Sequence, residues 1–318
     1  MTGAPRLALN SLYYIFKPLF PRRIQLLARR QVVQFQSNKY ANTWPIDEKS
    51  SKAPDGWHGW PSGKKFALVL THDVESSKGH KRCPDLMKLE ERLGFRSSFN
   101  FVPLRYEVSS SLRESLVERG FEVGVHGLYH DGKYYLTRNT FVERAKKINH
   151  YLKEWNSVGY RAPAMFNKLD WFHDLDIEYD ASTFDTDPFE PNAKGVGTVF
   201  PFFVKCEKTK KIFVELPYTL AQDFTLFVLM LKDNIDIWKR KLDWVARHGG
   251  VALINTHPDY MKFDRGTCGD EQYPAERYAE FLEYVKDRYK GEYWDVLPRD
   301  IARFWSKKYG DEPYRLKE

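Results

Sequence analysis

The run Phe66-Ala67-Leu68-Val69-Leu70-Thr71-His72-Asp73-Val74-Glu75 decides the fold. Five consecutive apolar residues of strand length are the signature of a parallel strand buried on both faces. The run ends in two carboxylates. Side chains at i and i+2 of a strand share a face, so Asp73 and Glu75 point together while Val74 points away. Two acids leaving a buried strand on one side need a cation or hydrogen bonds to compensate them. The simpler alternative is a solvated strand end that caps the following helix.

Downstream, apolar strands alternate with helical stretches. Residues 96–102, 121–126 and 251–256 read as strands, and 159–163 and 179–184 as further strand ends. Residues 110–119, 140–155, 234–248 and 275–289 read as helices, with Gly120 and Gly249 as stops. Residues 294–297 read as a last strand before a helix at 299–307. Val199 to Lys205 and Ile212 to Leu216 flank Lys208-Thr209-Lys210 like an inserted β-hairpin. Alternation over so many elements predicts one α/β unit, and the strand count favours a barrel over an open sheet.

Hydrophobic residues make up 42% of the 318, enough for a sizeable core. The net charge of +7 is local. Residues 1–46 hold Arg6, Lys17, Arg22, Arg23, Arg29, Arg30 and Lys39 and no acid, leaving 43 basic against 43 acidic residues elsewhere. The body therefore carries no general argument for nucleic-acid binding. After Pro21 a helix is expected, with Ile24, Leu27, Ala28, Val32 and Phe35 on one side and Arg22, Arg29 and Arg30 largely opposite. Leu26 and Val33 fall on the basic side. Such an arm either lies on an anionic membrane surface or packs against the body. Leu7 to Phe20 is interrupted by Asn10, Lys17 and Pro18, too short for a span, and no small-residue cleavage site follows it. Residues 37–63 read as a Trp-anchored linker, giving an arm-and-linker segment at 1–63 and a barrel at 64–318. Cys83, Cys206 and Cys268 are isolated, which points to a reducing compartment. The expected location is cytoplasmic, with the arm able to reach the inner membrane surface.

In such a fold the chemistry collects at the C-terminal ends of the strands. That rule selects Asp73/Glu75, His126, Arg161, Asp180/Ser182 and His257. His126-Gly127-Leu128-Tyr129-His130 can present two imidazoles to one cation if the segment turns helically after its strand. With Glu75 or Asp73 it makes a carboxylate-plus-two-histidine set with an open position for water, as catalytic zinc requires. His257, in Asn255-Thr256-His257-Pro258, is a candidate acid. Arg161 needs a carboxylate partner, and Asp73 is the obvious one. His58, His80, His150, His173 and His248 read as surface, loop or helix-end residues. Tyr129, Trp171, Phe189 and Tyr260 lie near motif-bearing loops, where they either stack on a bound ligand or pack in the core.

The order Thr-x-Asp-x-Glu, HxxxH, Arg-x-Pro, Asp-x-Ser and a late His-Pro resembles the polysaccharide deacetylase family (NodB-homology, carbohydrate esterase family 4), over roughly residues 64–306. The resemblance implies a distorted (β/α) barrel and metal-dependent removal of N-acetyl groups from sugars. It makes Asp73 the general base, Arg161 the residue holding it, His126 and His130 metal ligands, and His257 the general acid. Its commonest pattern has two adjacent aspartates, whereas Val74 follows Asp73 here. Glu75 is then the acidic ligand, as the strand-face argument also has it. Asp223 occupies the place in chain order of the acid that orients the catalytic histidine. The expected cofactor is a divalent metal, zinc first, and the expected partner an N-acetylated sugar. Two other readings remain: the same metal site hydrolysing a cyclic amide or ureide, and a silent sugar- or lipid-binding module.

Overall fold

The structure, a computed structural model, describes residues 21–131, 137–190 and 194–310; the apolar run Leu7 to Phe20 lies outside them. Its strands are β1 (Phe66–Val74), β2 (Ser98–Phe101), β3 (Glu122–His126), β4 (Gly159–Arg161), β5 (Tyr179–Asp180), β6 (Phe202–Lys205), β7 (Ile212–Glu215), β8 (Val251–Thr256), β9 (Met261–Lys262), β10 (Tyr273–Pro274) and β11 (Tyr293–Asp295). Its helices are α1 (Arg22–Lys39), α2 (Ser77–Leu93), α3 (Ser110–Glu118), α4 (Arg138–Glu154), α5 (Leu169–Phe172), α6 (Asp236–His248), α7 (Glu276–Arg288) and α8 (Pro298–Tyr309).

All nine residues of β1 are buried. β1 pairs in parallel with β8 on one side, and with β2 and β11 along its C-terminal and N-terminal halves. The sheet runs on through β3, β4, β5 and β7, all parallel, to an antiparallel edge strand β6. The hairpin foreseen at 199–216 is therefore no appendage: β7 is a wall strand paired with β5, and β6 folds back on it. Two isolated parallel bridges, Phe184 to Tyr218 and Leu220 to Ile254, bring the far side of the curled sheet back to β8. The result is the distorted (β/α) barrel expected from the alternation.

The strand period sorts β1 into two jobs. Thr71 and Asp73 face the interior, while His72 faces the helix layer. There its Nε2 lies 2.8 Å from Glu90 Oε1 of α2, its Nδ1 lies 2.7 Å from Thr256 Oγ1, and Tyr278 of α7 donates to Glu90 at 2.6 Å. These bonds pin β1 in register between two helices, which fixes where its carboxylate end projects.

α2 was hidden in the sequence because Pro84 interrupts a polar, weakly periodic stretch. Its ends are capped: Ser76 accepts from Lys78 N as N-cap, and Gly94 closes the helix at φ 88°. The linker wraps the outside of the barrel. Trp60 is buried and donates from Nε1 to Gly249 O at 2.8 Å, and Trp57 packs against Trp60, Phe200 and Trp305.

α1 packs against the body with the side the arginines share. Leu26 and Val33 are buried against Phe224, Val228 and Leu229, so the two residues that looked misplaced on the basic side are its packing face.

Candidate metal centre and its flanking acid and base

Parallel strands bring their C-terminal ends to one rim, and four of them meet here. Glu75 follows β1, His126 ends β3, Arg161 ends β4, and His257 follows β8. His130 reaches the rim by a turn. Gly127 (φ 62°) and His130 (φ 54°) are both left-handed, and residues 127–131 form no helical turn. The helical HxxxH geometry expected from the spacing is thus replaced by a tight reversal that leaves the imidazole centroids 5.1 Å apart. Gly127 cannot carry a side chain: a Cβ there would lie 2.4 Å from Pro163 Cγ.

One ligand-type atom from each of Glu75, His126 and His130 lies within 4.8 Å of the others. His126 Nδ1 is bound to the Arg161 carbonyl at 3.1 Å, which fixes the tautomer with a proton on Nδ1 and a lone pair on Nε2. That Nε2 is buried and has no hydrogen-bond partner. Nor has His130 Nε2, although it lies 3.1 Å from Glu75 Oε1. Burial first of all, with repulsion from His130 and Arg161, pushes the His126 imidazole down to about 4 against the pull of Asp73 and Glu75. Two imidazole nitrogens without hydrogen-bond partners beside a carboxylate are the donor set of a divalent cation. The residues present fit the metal that the resemblance implies.

Asp73 flanks this trio. Asn100 Nδ2 donates to its Oδ1 at 3.0 Å, Asn255 Nδ2 to its Oδ2 at 2.9 Å, and Arg161 Nη1 lies 3.3 Å from Oδ1. Burial by itself would raise the Asp73 carboxyl. The positive charge at His126, Arg161 and His257 and the Asn100 hydrogen bond outweigh it, holding the group well below the usual carboxylate range. Arg161 is itself fixed by Thr71 Oγ1 at 2.8 Å, Asn255 Oδ1 at 2.5 Å and the Ala181 carbonyl at 2.8 Å.

On the opposite flank, His257 Nε2 lies 3.9 Å from Glu75 Oε1. Its Nδ1 is 2.7 Å from Asp223 Oδ1, and its backbone N–H donates to Asp223 Oδ2 at 2.8 Å. Tyr273 donates to the same oxygen at 2.9 Å. Burial would lower the His257 imidazole, but the charge and hydrogen bond of Asp223, then Glu75 and Asp73, push it up to about 10. A group raised in the folded state contributes stability fully present below its unfolded value, near 6.5, and lost as pH rises through about 10. Asp223→Asn is therefore expected to weaken the stability difference between pH 6 and 10 and to move the alkaline limb of any activity profile to lower pH. Unchanged pH profiles of melting temperature and rate would separate Asp223 from His257.

The structure thus brings Asp73, Glu75, His126, His130, Arg161, His257 and Asp223 to one place. Asp180 and Ser182 stay outside it. Ser182 donates to Asp180 at 2.7 Å and accepts from Ala162 N, bracing the strand end beneath Arg161. Of the aromatic candidates, Tyr260 reaches the site: its hydroxyl donates to Glu75 Oε2 at 3.3 Å, and its ring packs at a tilt against Phe224, centroid to centroid 4.7 Å. Phe189 instead packs edge-on against Trp44, and Trp171 against Phe141.

Sequence reasoning missed Asn100, Asn255 and Asp259. Asn100 stands opposite Asp73 in register, and Asn255 opposite Thr71, each a polar residue in a fully buried strand. Asn100 in turn needs Gly124 across from it, where a Cβ would lie 2.0 Å from Asn100 Oδ1. Asp259 accepts from Glu75 N at 2.9 Å and from the Ser76 hydroxyl, clamping the backbone that carries the acidic ligand.

No family model matches the sequence, and no curated protein matches it at a significant level. Solved structures do match. A Mycobacterium smegmatis protein described as a polysaccharide deacetylase is 17% identical with a TM-score of 0.64, over 84% of this chain and 98% of the other. The Puue allantoinase is 16% identical with a TM-score of 0.60, over 80% and 95%. A Pseudomonas aeruginosa PAO1 protein described as a polysaccharide deacetylase is 15% identical with a TM-score of 0.59, over 80% and 96%. Likeness across nearly the whole of each of these proteins means that this chain has the polysaccharide-deacetylase fold.

Proposed function

We propose that the protein is a metal-dependent hydrolase that removes N-acetyl groups from an amino-sugar-containing substrate, with zinc held by Glu75, His126 and His130. One observation carries the reading. The donor trio is flanked on one side by the Asp73 carboxylate, 3.9 Å from His126 Nε2, and on the other by the His257 imidazole, whose Nε2 lies 3.9 Å from Glu75 and whose Nδ1 is held by Asp223. Amide hydrolysis needs a base for the attacking water and an acid for the departing amine, placed on opposite sides of the carbonyl carbon.

A divalent cation held at the trio supplies Lewis acidity toward a carbonyl oxygen and lowers the pKa of a water. The chain's own groups do the rest. Asp73, fixed by Asn100, Asn255 and Arg161, accepts the proton of the water as its oxygen bonds to the acetyl carbon. His257, oriented by Asp223, gives the proton from Nε2 to the nitrogen as the C–N bond breaks. Acetate and a free amine leave. Tyr260 holds the outer oxygen of Glu75 and keeps that carboxylate from rotating.

The likeness to proteins described as polysaccharide deacetylases supports this reading, and the allantoinase among the similar structures defines the control. Purified protein loaded with zinc is expected to release acetate from at least one of a panel of free, nucleotide-linked, lipid-linked and polymeric N-acetylated sugars. Ring opening of a cyclic ureide without acetate release from any sugar would assign the site to the cyclic-amide reaction instead.

A further inference from the structure

We propose that the outward face of α1 is a docking surface for an anionic lipid bilayer. α1 is mounted on the body by its inner side. Arg30 donates from Nε to Val228 O at 3.0 Å and from Nη2 to Asp270 O at 2.8 Å, and the Arg29 guanidinium lies over the Phe224 ring at 4.8 Å. Arg22 and Arg23 pair with Glu271 and Asp270 at the helix start.

The other side is apolar and faces water. Ile24, Leu27, Val32 and Phe35 are 52%, 57%, 55% and 75% exposed, so this one helix holds four of the eight large hydrophobic residues exposed among the described residues. Ala28, Gln31, Gln34 and Asn38 on that side are uncharged, and Lys39 adds one exposed cation to it at the end of the helix. A contiguous apolar stripe of this kind marks a surface that another apolar surface covers.

Charge selects the bilayer as that cover. The first 46 residues hold seven basic residues and no acid. The sequence before α1 repeats the same chemistry, with Leu7, Leu9, Leu12, Ile15 and Phe16 between Arg6 and Lys17. Apolar residues outward with cations at the flanks are the pattern of a helix lying in the headgroup plane. Arg22 and Arg23 sit in exposed ion pairs that anionic headgroups can compete for, since such pairs are weak in water. No helix among the described residues is long and apolar enough to cross a membrane, so attachment is peripheral.

The geometry gives docking a consequence for the site. Leu26 and Val33 rest on Phe224, Val228 and Leu229, the residues that follow Asp223, and Phe224 packs against Tyr260. A bilayer against α1 places the loops that hold His257 and Glu75 beside the lipid surface. Nothing in this depends on which bond the site hydrolyses.

The test is flotation of the full chain with vesicles of phosphatidylcholine containing phosphatidylglycerol, and with phosphatidylcholine alone. The chain is expected to float with the anionic vesicles, less with neutral ones, and less as salt rises. The variant I24S/L27S/F35S is expected to bind roughly tenfold or more weakly, with unchanged circular dichroism because all three side chains are exposed. Failure of the parent chain to float at low salt overturns the proposal, as does a variant that floats equally well. Light scattering completes the test: a parent dimer that the variant converts to monomer would make a second copy the cover, and would also overturn it.

Discussion

Asp73→Asn is expected to lower turnover by about 10²-fold or more, the usual range for losing a general base. The side chain is nearly isosteric, but its surroundings are built for a carboxylate. Asn100 and Asn255 both donate to it, and an asparagine amide would point two protons at one of those donors. Arg161 would also lose its counter-charge, keeping Thr71 Oγ1 and Asn255 Oδ1 as partners. Breaking a buried ion pair costs about 3–5 kcal/mol, and the retained partners place this case at the lower end. Against a total stability of about 5–15 kcal/mol, the variant stays folded at assay temperature. Its melting temperature falls, its metal content does not, and the lost rate is chemical. Near-normal turnover with a lowered melting temperature would return the base role to Glu75 and leave Asp73 a structural anchor.

His126→Ala is expected to remove most of the bound metal, and with it nearly all activity. Losing a residue that merely supports a ligand costs roughly 10–100-fold in metal affinity, and losing one of three ligands should exceed that. The substitution also frees the Arg161 carbonyl from its Nδ1 partner, a cost of about 1–3 kcal/mol. Metal analysis after gel filtration decides the matter independently of activity. A variant that keeps stoichiometric metal would exclude His126 from the ligand set, whatever happened to its rate.

Much of this site could be read from single strands. The period of β1 put Asp73 and Glu75 on one side, and the strand-end rule gathered His126, Arg161 and His257 before any coordinates. What was not legible depended on contacts between strands. Asn100 and Asn255 acquire their meaning from register, which places them opposite Asp73 and Thr71, and sequence pattern does not report register. The reversal at Gly127 and His130 uses left-handed backbone that spacing alone does not reveal. α2 was obscured by Pro84, whose effect on a helix is overridden here by caps at both ends and by burial of Cys83, Leu86 and Met87. α1 is the instructive case: its two sides were drawn correctly from periodicity, but which side meets the body was settled by Phe224, Val228 and Leu229. Those residues lie in a π-helical turn, Phe224–Leu229, that no apolar periodicity announced.

The ring of the barrel has a seam. Between β5 and β8 it is held by the segment Tyr218 to Leu220: Tyr218 N donates to Thr183 O at 2.9 Å, and Thr219 N and Leu220 N both reach Leu253 O, at 3.0 and 3.1 Å. Two bridges are a thin join beside the six-residue register of β1 with β8. Regions with few backbone hydrogen bonds open locally at lower free energy than the core, so this stretch is expected to open more readily than the β1–β8 pairing, although the Thr219 hydroxyl, bonded to Val251 O and Leu253 N, braces it. Asp223 lies three residues beyond it. An excursion of the seam would carry off the carboxylate that keeps His257 charged while Asp73 and the ligand trio stay in place. Warming would then loosen the Asp223–His257 pair before the protein unfolds, and the thermal limit of the chemistry proposed for this rim would be set by the closure of the wall rather than by the core.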